Sequence, residues 1–339
     1  MHQNRSTVSG IRTFALLVGV TCLLLGQAHA YAAELIKVKL AELYQIHGTQ
    51  MFDPLFPERA KKYGLDVEVV PMRRYGDVQL ALATGQVQFG AFGYFNIGAM
   101  ADNGIHNVKI IAGNSTGGQG LILRKGLNSK VKKWKDLEGL KIGLAPGGAS
   151  SALFLSLLKS NDVDIAKVTQ VSFPGMGPEA VRALQTGDVD GLVTWEPTNA
   201  RAALEGIAEY STLKLEESPS GNVNGALAVN TDFAAQHPEV VVNMVKTLVE
   251  TTDYLNKNHE EWVKLAAAKT GVEPRVINTA LDHLSIYYEI PVAKTKTLLS
   301  ILAEYGLTKK NYSDEAMQYI DFTYLEKATG KSRKPLGGE

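Results

Sequence analysis

Two serines that follow a pair of glycines are the residues whose types and spacing best suit the binding of a ligand. Gly147 and Gly148 carry no side chain, and Ser150 and Ser151 follow them at the predicted start of a helix. A helix start offers unpaired backbone N–H groups and a partial positive charge, and the hydroxyls would add donors. We therefore predict that Gly147–Ser151, called the anion cradle below, binds a small anion. An N-capped helix after a tight turn is the simpler alternative.

Catalytic loops of known type do not surround these serines. No lysine follows the glycines, which excludes a Walker loop, and neither Ser150 nor Ser156 stands in a G-x-S-x-G elbow. His47 has no partner at metal-ligand spacing, and the single cysteine, Cys22, lies in an apolar N-terminal run. We therefore expect no catalytic residue, no metal and no cofactor.

The other candidate residues share one position, since each follows a predicted strand. Parallel α/β sheets bind ligands at the carboxyl ends of their strands. The candidates are mostly amides, hydroxyls and aromatic rings, which suit holding a ligand better than cleaving one. They are Tyr44, His47, Arg74, Tyr94 and Ser115 in the first half, and Gly148, Ser150, Ser151, Trp195 and Glu196 in the second.

Several of these candidates also have a purely structural interpretation. His47 could be a solvated loop residue, and Tyr94 could be ordinary core at a helix start. Glu196 could sit at a helix N-terminus, where its charge is favourable. Arg73 and Arg74 could form a solvated pair at the edge of a lobe.

Alternating strands and helices must position these side chains. This alternation predicts parallel strands in two blocks, and a late strand at 223–229 could lead back to the first sheet. The first block has predicted strands at 36–41, 65–70, 88–92 and 108–113, and the second, after a strand at 121–124, has them at 141–145, 168–172, 191–194 and 207–215. From residue 232 the pattern is helical, with a long helix from Pro238, further helices at 260–269, 274–284, 291–305 and 314–325, and a polar tail at 336–339.

The N-terminus has the pattern of a secretory signal peptide. Arg5 and Arg12 precede an apolar run at 14–25. This run is too short to span a bilayer, and small residues follow it. Without residues 1–33 the chain has 33 basic and 35 acidic residues, a net charge of −2, and no cysteine. This charge argues against nucleic-acid and membrane-surface binding, and export without disulfides favours a bacterial periplasm.

Four stretches of the sequence resemble one known family. They are ALATGQVQFGAFGYF (81–95), DLEGLKIGLAPGGASSALFLSLL (136–158), ALQTGDVDGLVTWEPTNARA (183–202) and GALAVNTDFAAQHPEVV (225–241). In this order they resemble the periplasmic solute-binding proteins of ABC importers, in the sulfonate, taurine, nitrate and thiamine-precursor group. The resemblance covers residues 35–325.

The resemblance implies a two-lobed α/β flytrap fold of type II, with two hinge crossings and extra C-terminal helices. Residues 34–124 and 223–339 would form lobe 1, and residues 125–222 lobe 2. The resemblance places Tyr44, Tyr94, Gly148, Ser150, Ser151 and Trp195 at the cleft. It also implies delivery of the ligand to a permease in the inner membrane. The layout of two blocks with a cleft between them predicts a monomer that closes on its ligand.

The expected ligand is a small organic anion, a sulfonate or carboxylate that could be aromatic. Two departures from the family pattern, Gln88-Phe89-Gly90 in place of Asp-Ile-Gly and the pair Arg73-Arg74, favour a ligand other than taurine or a simple alkanesulfonate. Nitrate or a thiamine-precursor pyrimidine is the alternative ligand. A synthase-like enzyme of the same fold is a remote alternative, because that type is cytosolic and rich in Cys and His. A sensor domain would need a transmembrane or kinase segment, and the sequence has neither.

Overall fold

The computed structural model describes residues 34–339, so the predicted signal peptide and Cys22 lie outside the described residues. Within this range the strands form two sheets, which confirms the predicted α/β class. The six-stranded sheet contains β1 (Ile36–Glu42), β2 (Leu65–Pro71), β3 (Phe89–Gly93), β4 (Val108–Gly117), β10 (Val223–Asn230) and β11 (Leu284–Ile286). The five-stranded sheet contains β5 (Gln119–Arg124), β6 (Lys141–Leu144), β7 (Thr169–Ser172), β8 (Gly191–Trp195) and β9 (Ala208–Tyr210).

The strand directions are mixed, which corrects the expectation of parallel pairing throughout. The order of the first sheet is β11-β4-β10-β3-β1-β2, and that of the second is β7-β6-β8-β5-β9. In the first, β1 pairs in parallel with β2 and β3, whereas β10 runs antiparallel between β3 and β4. In the second, β5 runs antiparallel to β8 and β9. The antiparallel strands β5 and β10 are the ones that adjoin the crossings between the sheets.

The first crossing lies earlier than the sequence predicts. Strand β5 belongs to the second sheet, so the chain leaves the first sheet at Gly117 and Gly118 rather than after Arg124. Gly117 has a φ of +78°, and a Cβ there would lie 2.6 Å from the His283 carbonyl oxygen, so this position requires glycine. The boundary between the predicted lobes therefore moves from Arg124 to Gly117 and Gly118. The division of the chain into two lobes remains a prediction.

Hydrogen bonds tie the two crossings together. The backbone oxygen of Asn222 accepts from the Gly117 N–H at 2.8 Å and from the Thr116 hydroxyl at 2.7 Å. The Asn222 side-chain amide donates to the Gln119 carbonyl at 2.9 Å. The end of the second crossing is therefore bonded to the start and the end of the first.

Helices flank both sheets. Their bounds are α1 (Leu55–Lys61), α2 (Tyr75–Ala83), α3 (Asn96–Asp102), α4 (Ala149–Ser160), α5 (Pro178–Thr186), α6 (Thr198–Leu204), α7 (Thr231–Gln236), α8 (Pro238–Lys257), α9 (His259–Thr270), α10 (Pro274–Leu281), α11 (Val292–Glu304) and α12 (Thr323–Thr329). The long amphipathic helix predicted from Pro238 is confirmed as α8. None of the helices in residues 34–339 combines the length and apolar character needed to cross a membrane.

Two predictions for the C-terminal region are wrong. The segment 314–325 is not one helix, because Ile320 forms a bridge with Ile110 of β4 and interrupts it between a short 3-10 turn and α12. The tail is not a free polar end, because Leu336 is fully buried and its carbonyl accepts from the Ile290 N–H at 2.8 Å. Burial of apolar side chains and backbone bonding to distant segments thus determine the structure of both regions.

Candidate functional site

A cavity of about 310 Å³ lies between the two sheets. Strand ends and the turns that follow them provide its walls. The lining residues are Gln45, His47, Tyr75, Phe95 and Asn224 from the first sheet and its connections, and Gln119, Ala145, Pro146, Gly147, Gly148, Ala149, Ser150, Pro174 and Trp195 from the second. Cavities of this size hold small organic ligands.

The anion cradle forms one wall of this cavity. Strand β6 ends at Leu144, and α4 begins at Ala149 with Gly148 as a cap residue that has no side chain to close the helix end. The Ser150 hydroxyl makes no hydrogen bond to another residue of the described chain. The Ser151 hydroxyl instead donates to the Ala145 carbonyl at 2.6 Å, so it holds the turn. The Gly148 and Ser151 N–H groups donate to the Ala145 and Gly148 carbonyls, so among the described residues the Ala149 and Ser150 N–H groups and the Ser150 hydroxyl are the donors left without a partner at this helix start.

Aromatic rings form the rest of the apolar wall. Trp195 is half-buried at the end of β8, and Phe95 follows β3. Tyr75 opens α2, and its ring meets that of Phe95 edge to face with centroids 5.9 Å apart. These rings offer flat apolar surface to a ligand.

A hydrogen-bonded group of three residues lies beside these rings. The Tyr75 hydroxyl donates to Gln45 Oε1 at 2.8 Å and lies 3.1 Å from His47 Nε2. Burial raises the pKa of Tyr75, and the Glu42 charge adds to this, so the hydroxyl keeps its proton. Burial lowers the pKa of His47 to about 4, so its imidazole is neutral at neutral pH.

The cavity wall carries no formal charge at neutral pH. Among the described residues that line it, none is a lysine, arginine, aspartate or glutamate. Behind the wall, the Glu42 carboxyl is buried and packs against the backbone of Gly48, where a Cβ would collide with it. Burial raises the pKa of Glu42 to about 8. An anion in this cavity would be held by neutral donors.

Four of the ten predicted site residues line the cavity: His47, Gly148, Ser150 and Trp195. Arg74 does not, because 81% of its side chain is exposed and its guanidinium pairs with Asp77 at 2.9 Å. Tyr94 is fully buried in the core, and Ser151 holds the turn of the cradle as described above.

The other three predicted residues are bonded or buried elsewhere. The Tyr44 hydroxyl donates to Asp53 at 2.5 Å, and Glu196 is buried behind the cavity, where it accepts from the Tyr210 hydroxyl at 2.7 Å. Burial raises the pKa of Glu196 to about 7. Ser115 is buried within β4. Its surroundings read Gly-Asn-Ser-Thr-Gly, a G-x-S-x-G spacing overlooked in the sequence, but the serine lies inside a paired strand rather than at a strand-to-helix turn.

Sequence reasoning missed Tyr75, Gln119, Pro174 and Asn224. Gln119 and Asn224 stand near the starts of β5 and β10, which run antiparallel to their neighbours. The rule that ligands meet the carboxyl ends of strands therefore cannot find them. The register of β5 with β8, which pairs Gln119 with Trp195, would have found the first.

Comparisons with known proteins agree with this architecture. A family model described as NMT1/THI5 like matches residues 61–262. The taurine-binding periplasmic protein of Escherichia coli is 27% identical over 208 residues, which is 60% of this chain and 62% of that protein. The chain thus matches less than two thirds of this curated relative's length.

Solved structures of two further proteins share the fold. A putative periplasmic sulfonate-binding protein from Methylobacillus flagellatus superimposes with a TM-score of 0.70 at 21% identity, over 88% of this chain and 94% of its own. The periplasmic nitrate-binding protein of Synechocystis gives a TM-score of 0.70 at 13% identity, over 88% and 89% of the two chains. The predicted solute-binding-protein fold is thereby confirmed.

Proposed function

The chain belongs to the NMT1/THI5-like family, and on that premise we propose that it is the substrate-binding component of an ABC importer. In this proposal it captures a small organic anion, with a sulfonate as first candidate and a carboxylate as second, and delivers it to a membrane permease. The observation that carries the proposal is the cavity between the sheets, into which the uncapped start of α4 opens. The name of the taurine-binding relative supports a sulfonate.

The anionic group of the ligand would lie in the anion cradle. The backbone N–H groups at the start of α4 and the free Ser150 hydroxyl would donate to its oxygens. The organic part would contact Trp195, Phe95 and Tyr75. A nitrate ion would leave most of a cavity of about 310 Å³ unfilled and would not contact these rings, so the walls favour an organic anion.

The remaining parts of the proposal concern the whole protein. We propose export to the periplasm, a monomer that closes on its ligand, no binding of nucleic acid and no catalytic turnover. Lobe 1 would consist of residues 36–117 and 223–339, and lobe 2 of residues 119–222. The name of the taurine-binding periplasmic protein supports export to the periplasm.

A thermal-shift screen of sulfonates, carboxylates, nitrate and pyrimidines tests the proposed ligand class. A ligand at a hundredfold excess over its Kd stabilises the folded state by about 2.7 kcal/mol. We expect sulfonates to raise the melting temperature, and Arg74→Ala, which changes an exposed side chain outside the lining, to respond as the parent does. Stabilisation by nitrate or pyrimidines alone would refute the proposal.

A further inference from the structure

One residue from a distant segment supports the glycine turn of the anion cradle. A Cβ at Gly148 would meet only atoms of Ala145 and Ser150, which belong to the same turn. At Gly147, where φ is +71°, a Cβ would lie 3.8 Å from Leu307 Cδ2, and no other described atom beyond its chain neighbours comes within 4 Å. Both glycines line the cavity, whereas the half-buried Leu307 does not. Leu307 therefore packs on the turn without reaching the cavity.

Leu307 is fixed to the side of the first sheet, although it contacts a turn of the second. Its neighbour Thr308 packs on Gly98 of α3, where a Cβ would collide with the threonine methyl group. The Asp102 carboxylate at the end of α3 accepts from the Tyr312 hydroxyl at 2.7 Å. Helix α3 follows β3 of the first sheet, so these contacts tie the segment to that side. The contact of Leu307 with the cradle thus joins the two sides of the cavity.

Helix α11 places Leu307 beside the cradle. The helix has 13 residues, which corresponds to a length of about 20 Å. Near its start, Lys294 covers Gly221 in the second crossing, where a Cβ would lie 3.3 Å from Lys294 Cδ. At its last residue, Glu304 forms an ion pair with Lys159 of α4, the helix that begins at the cradle. Helix α11 therefore runs from the crossing to the helix of the cradle, and Leu307 follows its end.

We infer that Leu307 is a positioning residue for anion binding, which holds the glycine turn so that the free donors of Ala149 and Ser150 converge on the acidic group of the ligand. The inference rests on the proposed function and adds to it a residue that lies outside the cavity. Two adjacent glycines leave the turn free to adopt other conformations. Where a binding-competent conformation is only partly populated, the apparent Kd rises by the inverse of that fraction. The exposed Lys159–Glu304 pair contributes less, because water and salt screen such pairs.

Calorimetric titration with 2-aminoethanesulfonate and with benzenesulfonate tests the inference. We expect Leu307→Ala to weaken the binding of whichever sulfonate binds the parent by about threefold to tenfold, because the turn loses its support. Leu307→Met keeps an apolar side chain of similar volume and should bind within about twofold of the parent. Thr308→Ala is the matched control, since Thr308 contacts α3 and not the cradle, and it should also bind as the parent does.

A double-mutant cycle separates positioning of the cradle from a general loss of structure. Leu307→Ala should cost less in a Ser150→Ala background than in the parent, by about twofold or more, because one of the donors that it positions is already gone. In a Trp195→Ala background its cost should be undiminished, since Trp195 contacts another part of the ligand. Leu307→Val takes the place of Leu307→Ala in the cycle if the alanine variant does not fold.

The outcomes distinguish the inference from the proposed function. Equal costs of the Leu307 substitution in all three backgrounds, or parent-like binding by Leu307→Ala, would overturn the inference and leave the proposed function intact. Binding of neither sulfonate to the parent would overturn the proposed sulfonate ligand and the inference together.

Discussion

The imidazole of His283 stacks on the phenol ring of Tyr210, with ring centroids 3.8 Å apart and ring planes 22° apart. His283 directly precedes β11 of the six-stranded sheet, whereas Tyr210 ends β9 of the five-stranded one. The Tyr210 hydroxyl continues the contact by donating to Glu196, the neighbour of Trp195 in the cavity wall. This group therefore links the two sheets directly behind the cavity.

Removal of the Tyr210 hydroxyl should destabilise the protein. Tyr210→Phe removes the donor to Glu196 Oε1 while the Ala200 N–H still donates to Oε2, at a cost of about 1–3 kcal/mol. Urea unfolding measures this change. Tyr305→Phe is a matched control, because the Tyr305 hydroxyl is buried without a partner among the described residues and its loss should cost little. Equal effects of the two substitutions would contradict the role given to the Tyr210–Glu196 bond.

Stability should fall as the pH rises from about 4.5 to about 8 because of Glu42. Burial raises the pKa of Glu42 to about 8 in the folded protein from an ordinary value of 4.5. The unfolded chain therefore releases this proton first, and unfolding becomes more favourable across that window. Glu42→Gln cannot ionise, so we expect it to be more stable than the parent at pH 8, by up to about 4 kcal/mol, and similar at pH 4.5.

Urea unfolding at pH 4.5, 6 and 8 checks this expectation. Glu205→Gln is the control, since it makes the same substitution at an exposed position. A parallel pH dependence of the parent and Glu42→Gln would show that Glu42 is ionised in the folded protein.

The two serines of the anion cradle should separate into a binding residue and a structural one. Ser150 lines the cavity with a free hydroxyl, so Ser150→Ala should weaken sulfonate binding by about tenfold with little change in stability. The Ser151 hydroxyl bonds the Ala145 carbonyl, so Ser151→Ala should lower the free energy of unfolding by about 1 kcal/mol. Calorimetric titration and urea unfolding of both variants distinguish these effects, and the reverse assignment would refute the prediction.

Gly117 should tolerate a side chain less well than another glycine of similar backbone conformation. Gly117 and Gly139 have φ values of +78° and +89°, but only at Gly117 would a Cβ meet backbone atoms. Gly139→Ala should cost about 1–2 kcal/mol from its left-handed conformation alone, and Gly117→Ala should cost more because the His283 carbonyl must move. Thermal unfolding compares the stability of the two variants. Equal losses of stability would show that the backbone at the first crossing can adjust to a side chain at little cost.

The sequence predicts the strands and long helices well where local periodicity and tertiary packing agree. The helix from Pro238 and the strand–turn–helix at Gly147–Ser151 are both confirmed, because turn residues and apolar spacing mark their ends. The helix predicted at 314–325 fails, because Ile320 instead pairs with a strand that lies about 200 positions earlier in the chain. A local sequence pattern does not indicate such a distant partner.

The site could be predicted only in part, for a related reason. His47, Gly148, Ser150 and Trp195 follow strands and reach the cavity, so the rule for parallel sheets finds them. The same rule selects Glu196, whose side chain is buried behind the cavity, and it omits Asn224, whose strand runs the opposite way. A residue at a strand end reaches the cavity or turns away from it depending on the order and direction of the strands. The sequence pattern gives neither the order nor the direction.

The pairing of β4 with β10 also places the second sheet in the chain as an insertion. Thr116 is the register partner of Val223, so the two strands meet as the arms of a β-hairpin do, with residues 117–222 in the position of its turn. No strand of the six-stranded sheet lies between residues 118 and 221. The chain thus has the organisation of one sheet in which a second sheet takes the place of a hairpin turn.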